Sequence, residues 1–457
     1  MKVCFETFGC RLNRAEALQQ EAEYLEKGWE RTEKHSDADL FIVRGCSVTR
    51  RAQHECEKLI AHLKKHYPNI PIRICGCLED KNLSPGQTRF PGNAQAAQTS
   101  QPLNSSTAQP LPTRTARAYL KCQDGCSGKC TFCIVPKFRG SSVSIPFDDL
   151  VDKAKRFIDA GYHEIVLTGC NLALYASNGK CFPELVAALA ELTPVRALPP
   201  RPDERQSSFC RVRIGSLEPG ACAIETVDVM AEHANVCRFL HIPVQSGSNA
   251  ILTAMRRPYL VRDVEELVNR AIDKMPFIGL GCDLMTGFPG ETDNDFLATK
   301  GFVKRLAFSN VHVFPYSERP GTLAVGFPCP ISRETRRQRA HELADIARVY
   351  RAKAAKKFIG KDVEMLIEDE KKLTGWTGEY FTCEITNKNR SAPKRKELVR
   401  VHVMDAHRDR LKAIIVHYGN HAEEEALSHR PDARFAARGR DDTPKDPSNS
   451  SGTPPNC

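Results

Sequence analysis

Hydrophobic and polar positions along residues 1–79 repeat with two different periods. Five segments carry the pattern, with strand-like apolar runs or alternation at 3–8, 40–43 and 70–75 and helical spacing at 15–27 and 52–67. Predicted strands and helices therefore alternate along this part of the chain. Such an order is typical of a parallel sheet, and it predicts a Rossmann-like α/β domain over residues 1–79.

The same alternation of strands and helices returns over residues 118–355. Helical spacing is found at 148–160, 182–192, 222–234, 261–275 and 292–307, and strand patterns at 163–168, 210–214, 237–242, 277–286 and 310–314. A helix regularly follows a strand, which predicts a full or partial (β/α) barrel. In barrels of this kind the chemistry lies at the carboxyl ends of the strands.

The remaining segments differ in composition from these two units. Residues 80–117 are rich in Ser, Thr, Gln, Asn and Pro and are predicted to be a low-complexity linker, and 196–208 form a second insert. A long basic helix is predicted at 332–358. Short strands then predict a small β-barrel at 356–420, followed by a disordered, charged tail at 421–457.

Composition narrows the class of protein. The net charge of +10 favours a polyanionic partner. No apolar run approaches the roughly 18 residues of a membrane span, and positions 1–10 lack the apolar core of a signal peptide, so we expect a cytoplasmic protein without a membrane partner. In that compartment 19 cysteines indicate metal ligation or catalysis for some of them and small buried thiols for the rest.

The strongest chemical pattern is CSGKCTFC, in which Cys126, Cys130 and Cys133 follow a strand-like segment. Thiolates are soft ligands suited to iron–sulfur clusters. Three cysteines on one loop leave the fourth iron of a cubane open for the amino and carboxylate groups of S-adenosylmethionine. Structural zinc, which usually takes four ligands and has Cys122 as its nearest local candidate, is one alternative. Three buried thiols are another.

An ordered series of blocks extends this pattern over most of the chain. These blocks are TFGCRLNRAE, GCSVT, CGC, CSGKCTFCIVP, EIVLTG, RIGSLEP, LHIPVQSGS, GFPGET and HVFPYSERPGT. On them the chain resembles the radical S-adenosylmethionine family of methylthiotransferases over residues 1–79 and 116–420. It departs from the family pattern at Arg44-Gly45 and in having low-complexity sequence after CGC.

The resemblance implies a radical [4Fe–4S] cluster on Cys126, Cys130 and Cys133, and we therefore take these cysteines as the catalytic residues. It also implies a second [4Fe–4S] cluster. The ligands implied for the second cluster are Cys10, Cys46 and Cys77. Taken by themselves these are ordinary cysteines at strand ends, and Cys75 competes with Cys77. Five further positions are expected to contact S-adenosylmethionine: Phe132, Glu218, Gln245, Gly287 and Gly290.

The resemblance also implies a substrate. GCRLNRAE, RRPY and HVFPYSERPGT are similar to the branch that inserts a methylthio group at C2 of N6-threonylcarbamoyladenosine at position 37 of tRNA. The C-terminal barrel resembles the RNA-binding TRAM domain, with phosphate contacts expected from Lys388, Arg390, Lys394, Arg395 and Lys396. We expect tRNA and an electron donor such as flavodoxin or ferredoxin as partners, while the sulfur donor stays open. The alternatives are a different tRNA adenosine, a ribosomal protein, or a non-catalytic iron–sulfur RNA-binding paralogue.

Overall fold

Three units follow one another along the chain in the computed structural model. The structure describes residues 1–78, 115–193, 209–387 and 392–416. The predicted tail and almost all of the predicted linker and second insert lie outside these residues. The three-part α/β and β architecture predicted from the sequence is confirmed, whereas the exact domain boundaries stay predictions.

The first unit is a parallel four-stranded sheet in the order β2-β1-β3-β4. Its elements are β1 (Lys2–Thr7), α1 (Arg11–Glu26), β2 (Glu30–Arg31), β3 (Leu40–Gly45), α2 (Arg50–His66) and β4 (Ile72–Gly76). The Thr49 hydroxyl accepts a hydrogen bond from the Ala52 N–H at 3.2 Å and so fixes the start of α2. Because the strands are parallel, the carboxyl ends of β1, β3 and β4 lie side by side at one edge of the sheet.

The second unit is a partial barrel made of two parallel three-stranded sheets, β11-β8-β5 and β12-β13-β14. Isolated bridges from Val212 to Val236 and from Ser216 to His241 connect the two sheets. The strands of these sheets are β5 (Ala118–Lys121), β8 (Glu164–Thr168), β11 (Arg211–Arg213), β12 (Phe239–Gln245), β13 (Gly279–Thr286) and β14 (Asn310–Pro315). Two separate two-stranded antiparallel ribbons are formed by β6 (Gln123–Asp124) with β7 (Val143–Ser144) and by β9 (Ala176–Ser177) with β10 (Lys180–Cys181).

Helices cover the outside of this partial barrel. They are α3 (Val135–Arg139), α4 (Phe147–Asp159), α5 (Phe182–Glu191), α6 (Ala221–Glu232), α7 (Asn249–Ala254), α8 (Val261–Lys274) and α9 (Asp293–Leu306). On β12, Leu240, Ile242 and Val244 belong to the main hydrophobic core. Since side chains alternate along a strand, Phe239 and His241 face the other side of β12, toward the lumen.

The third unit begins with α10 (Arg333–Lys356) and continues as a closed five-stranded barrel in the order β15-β16-β17-β19-β18. Its strands are β15 (Asp362–Asp369), β16 (Thr374–Thr377), β17 (Thr382–Ile385), β18 (Leu398–His407) and β19 (Arg410–Ile415). The sequence pattern predicted four of these five strands; β16 was missed because the segment TGWT is short and contains one hydrophobic residue, Trp376.

A turn of this small barrel closes the base of the partial barrel. The buried Arg211 and Arg213 donate to the backbone carbonyls of Trp376, Thr377 and Gly378 at 2.9–3.0 Å. Close approach needs a glycine, because a Cβ on Gly279 would lie 2.1 Å from the Glu379 carbonyl oxygen. The chemistry must therefore occur at the opposite, carboxyl ends of the strands. Within the described residues, no helix is long and apolar enough to cross a membrane.

Candidate functional site

The predicted radical loop runs from β6 to α3 and brings its three sulfurs together. The Gly128 N–H donates to Cys126 Sγ at 3.3 Å, and a Cβ on Gly128 would lie 3.2 Å from Cys126 Sγ and 4.0 Å from Cys130 Sγ. Burial raises the pKa of Cys133 to about 12, and the neighbouring Cys130 and Cys126 add to this rise. A bound metal cluster would stabilise these sulfurs as thiolates.

Contacts from the far side of the barrel hold this loop in place. The Thr131 hydroxyl donates to the Ala254 carbonyl at 3.0 Å, and the Thr131 N–H donates to the Met255 carbonyl at 3.1 Å. The ring of Phe132 meets that of Phe288 edge-on, with centroids 6.4 Å apart. Phe132 thus packs against the GFPGET turn, and its predicted contact with a cofactor stays a prediction.

An arginine that the sequence analysis did not select supports the radical loop. Arg257 donates through Nη1 to Cys130 Sγ at 3.1 Å and through Nη2 to Glu218 at 2.5 Å. Asn171 also donates to Glu218, at 2.7 Å. Glu218 therefore lies beside the loop, where an arginine and an amide already bind its carboxylate, and its predicted contact with S-adenosylmethionine stays a prediction.

Gln245 lies in an environment that suits a bound ligand. It ends β12 with a φ of +75°, a left-handed conformation that costs energy for a residue with a side chain. Its side chain is buried, and its Oε1 has no hydrogen-bond partner among the described residues. A buried acceptor left unpaired costs about 1–3 kcal/mol. A ribose hydroxyl or the ammonium group of S-adenosylmethionine would supply the missing donor.

The two glycines of the GFPGET turn differ in their surroundings. The Gly287 N–H donates to Glu291 at 2.8 Å, and a Cβ there would lie 2.2 Å from Cγ of Arg336. Gly287 therefore serves close packing against α10, and its N–H is not available to a cofactor. Gly290 has a φ of +84°, and its Cβ position meets no described atom within 4 Å. The Gly290 N–H donates to the Cys329 carbonyl at 3.0 Å, so neither glycine has a free N–H, and only Gly290 has open space beside its Cα.

The second predicted triplet forms where three neighbouring parallel strands end. Cys10, Cys46 and Cys77 each follow a glycine just beyond β1, β3 and β4. Gly9 has a φ of +96°, and a Cβ on it would lie 2.7 Å from Cβ and 2.9 Å from Sγ of Cys46. Cys10 also acts to raise the pKa of both Cys46 and Cys77, as a neighbouring thiol would. A Gly-Cys pair at the end of each strand was the sequence signal available for this set.

The structure separates Cys77 from its competitor Cys75. Strand alternation alone would point both side chains the same way. The φ of +89° at Gly76 turns the chain between them. Cys75 Sγ then faces Gln20 Oε1 and the Val43 carbonyl at 3.7 and 3.8 Å, away from the triplet. The geometry therefore favours Cys77, as the resemblance implied.

The donor set fits a second iron–sulfur cluster. Three thiol-bearing residues converge at the edge of the sheet, and soft sulfur ligands suit such clusters. Beside Cys46, the hydroxyl of the fully buried Ser47 has no hydrogen-bond partner in the described part of the chain. An unpaired buried hydroxyl fits a neighbouring acceptor such as a cluster sulfur.

A buried polar network joins the two cysteine triplets. Arg139, six residues after Cys133, donates to Cys77 Sγ at 3.0 Å, to Glu16 Oε1 and Asp124 Oδ1 at 2.9 Å each, and to Asn13 Oδ1 at 2.8 Å. Lys121 also reaches Glu16 and Asp124, at 2.7 and 2.6 Å. The network therefore links α1 of the first unit to the partial barrel.

The charges in this network depend on one another. Burial acts to raise the pKa of Glu16, but the positive charges of Lys121 and Arg139 outweigh it and lower the pKa from 4.5 to about 2. Because the pKa of Glu16 is lower in the folded state than in the unfolded chain, its ionised carboxylate stabilises the fold above pH 4.5. This stabilisation is lost as the pH falls toward about 2. Arg44, which departs from the family pattern, adds a further ion pair to Glu16 at 2.7 Å.

The predicted RNA-binding residues have different surroundings. Lys394 and Arg395 are exposed. Lys396 is half-buried, and its Nζ lies 4.1 Å from the ring centroid of Tyr162 in the partial barrel. Its ammonium thus helps to dock the small barrel and is less available to a phosphate. Lys388 and Arg390 lie outside the described residues.

Comparisons with known proteins agree with this arrangement. Residues 120–303 match the model of the radical SAM superfamily, where SAM stands for S-adenosylmethionine, and residues 2–92 match that of the uncharacterized protein family UPF0004. The threonylcarbamoyladenosine tRNA methylthiotransferase MtaB of Bacillus subtilis (strain 168) is 29% identical over 412 residues, which cover 83% of this chain and 89% of that protein.

Two further relatives have a similar extent. The protein of the same name from Thermotoga maritima is 30% identical over 389 residues, covering 80% of this chain and 86% of that protein. The tRNA-2-methylthio-N(6)-dimethylallyladenosine synthase of Methylacidiphilum infernorum is 29% identical over 409 residues, covering 81% of this chain and 85% of that protein.

Proposed function

This chain belongs to the radical S-adenosylmethionine family of methylthiotransferases and is a tRNA methylthiotransferase, and we propose that its target is N6-threonylcarbamoyladenosine at position 37 of tRNA. The product would carry a methylthio group at C2 of the base. A radical S-adenosylmethionine domain implies S-adenosylmethionine and one [4Fe–4S] cluster as cofactors. The second cluster, on Cys10, Cys46 and Cys77, is part of the proposal.

The observation that best supports the proposed reaction is that two cysteine triplets lie on either side of the buried network of Arg139. Cys126, Cys130 and Cys133 would hold the radical cluster, and Gln245 would accept a hydrogen bond from the bound S-adenosylmethionine. With these cofactors bound, the site supplies a 5′-deoxyadenosyl radical able to remove hydrogen from an unreactive carbon. The network of Arg139 links the second triplet to the partial barrel that carries this site.

One observation favours the threonylcarbamoyl substrate. Several relatives carry that name, including the Thermotoga protein at 30% identity. Relatives of the dimethylallyl branch match over a similar length, so that base is the second candidate.

Binding of tRNA is assigned to the small barrel and its exposed basic residues. Lys394 and Arg395 would contact phosphates and orient the RNA without reading its sequence. A flavodoxin or ferredoxin would supply electrons to the radical cluster. Both partners are part of the proposal.

Mass spectrometry of tRNA nucleosides tests the substrate. We expect 2-methylthio-N6-threonylcarbamoyladenosine to disappear from a strain lacking this gene, to return with the intact gene, and to stay absent with the Cys130→Ala variant. If only the methylthio form of dimethylallyladenosine changes, the second candidate replaces the first. If neither nucleoside changes, ribosomal proteins are examined next, and the proposal for this tRNA base fails.

An assay on the purified protein separates an enzyme from a paralogue that only binds RNA. After anaerobic reconstitution, the protein should cleave S-adenosylmethionine to 5′-deoxyadenosine when given an electron donor. The Cys130→Ala variant is the matched control, because it removes one thiol and changes no other contact of the loop apart from the bond from Arg257. Absence of 5′-deoxyadenosine from the intact protein would refute a catalytic role.

A further inference from the structure

Arg139 lies between the two cysteine triplets and contacts a sulfur of the second one. We propose that Arg139 is a positioning residue that donates a hydrogen bond to the Cys77 ligand of the second cluster and fixes this cluster relative to the radical site. The inference rests on the proposed second cluster and goes beyond it, because it gives a role to a residue that is not itself a ligand.

The position of Arg139 in the chain makes this bridge possible. It ends α3, the short helix that follows the radical loop, so its backbone belongs to the partial barrel. Its guanidinium reaches across the boundary between units to Asn13, Glu16 and Cys77 of the first unit. One side chain therefore connects the end of the radical loop directly to a ligand of the other cluster.

The geometry of the guanidinium suits this role. Arg139 is only 6% exposed, and its Nε, Nη1 and Nη2 all donate to partners at 2.8–3.2 Å. A planar fork held by two carboxylates and an amide has few alternative orientations. The Nε–H is therefore aimed at Cys77 Sγ by contacts that do not depend on the cluster.

A hydrogen bond to a cluster sulfur has an electronic consequence. It stabilises the more negative, reduced form of the cluster, and hydrogen bonds to sulfur are among the factors that set cluster potentials. Losing the bond from Arg139 should therefore lower the midpoint potential of the second cluster. Arg257 makes a comparable contact with Cys130 at 3.1 Å. Each triplet thus has its own arginine, and each arginine should affect only its own cluster.

Nitrogen-15 spectroscopy tests the contact directly. The full chain carrying Cys126→Ala, Cys130→Ala and Cys133→Ala holds only the second cluster and would be made with 15N-labelled arginine. We expect pulsed electron paramagnetic resonance of the reduced cluster to show a 15N coupling, and we expect Arg139→Lys to abolish it. The matched control Asp124→Asn disturbs the same network but keeps the Nε–H donor, and it should keep the coupling.

A redox titration gives a second measurement that a purely structural role would not change. In the chain with both clusters, Arg139→Lys should lower the potential of the second cluster and leave that of the radical cluster unchanged. Arg257→Lys should lower the potential of the radical cluster and leave that of the second cluster unchanged. Formation of 5′-deoxyadenosine should persist in Arg139→Lys while the methylthio product is lost.

The outcomes separate this inference from the proposed function. If the chain with only the three cysteine substitutions forms the second cluster but shows no 15N coupling, the proposed role of Arg139 is refuted. This result would count even if Arg139→Lys fails to fold. Retention of the coupling in Arg139→Lys also overturns it. Failure to form the tRNA product, with coupling and potential shift present, would instead count against the proposed reaction.

Discussion

Gly9 offers a way to disrupt the second triplet without changing any of its ligands. Ala at this position would place a Cβ 2.7 Å from Cβ of Cys46 and 2.9 Å from its Sγ, at a φ of +96°. Nonbonded carbons prefer separations of about 3.5 Å or more, so the two segments would have to part by about 0.8 Å. Metal–ligand distances tolerate only about ±0.2 Å. The Gly9→Ala variant should therefore lose the second cluster.

Gly28 supplies the control for backbone strain. It also has a positive φ, +77°, but a Cβ there meets no described atom within 4 Å. Both substitutions should cost about 1–2 kcal/mol for the left-handed backbone. Only Gly9→Ala adds the clash with Cys46, so a difference between the variants reports on the triplet and not on general stability.

Iron analysis after anaerobic reconstitution measures the effect. With the radical triplet changed to alanine, the parent chain should bind about four irons, the content of one [4Fe–4S] cluster. Gly28→Ala should match the parent, whereas Gly9→Ala should fall to less than half and lose the resonance signal of the reduced cluster. Equal iron in the two glycine variants would show that Cys46 is not a ligand held against Gly9, and the reasoning would be wrong.

Three other predictions concern separate parts of the molecule. Gln245→Leu removes the unpaired acceptor and should weaken S-adenosylmethionine binding about tenfold, or 1.4 kcal/mol; unchanged affinity in equilibrium dialysis would contradict this role. Glu16→Gln should remove about 3 kcal/mol of pH-dependent stability, the equivalent of a pKa lowered from 4.5 to about 2, so acid unfolding curves of the variant and parent should converge toward pH 2. Lys394→Ala and Arg395→Ala should each reduce the salt dependence of tRNA binding by roughly one counterion, whereas Lys396→Ala should lower thermal stability with little change in that slope.

The features that could be predicted from the sequence alone are those whose pattern lies within a short stretch of the chain. Strand and helix periods depend on residues a few positions apart, so the three units were predictable. The radical loop contains Cys126, Cys130 and Cys133 within eight residues, so it could be predicted for the same reason. The second triplet spans residues 10–77 and had no local spacing to mark it, so its members were named only through the family resemblance.

The supporting residues were missed because their partners are distant in the chain. Arg139 is 62 residues from Cys77 and Arg257 is 127 residues from Cys130. Arg257 lies in the block RRPY, but neither sequence context shows that the arginine contacts a cysteine sulfur. Lys396 shows the converse, because its charge is visible in the sequence while its contact with the ring of Tyr162 is not. Charge can be counted from a sequence, but whether a charge is paired depends on tertiary packing.

One residue of the small barrel shows how the three units act as one. The Tyr380 hydroxyl accepts a hydrogen bond from Arg11 at 2.6 Å, and its ring stacks on Phe239 with centroids 4.5 Å apart. Arg11 follows Cys10 directly, and Phe239 begins β12, the lumen strand that ends at Gln245. The proposed RNA-binding unit therefore contacts both the residue that follows a proposed ligand of the second cluster and the strand that carries the proposed cofactor contact. A tRNA bound by the small barrel would meet two sites whose separation these shared contacts help to fix.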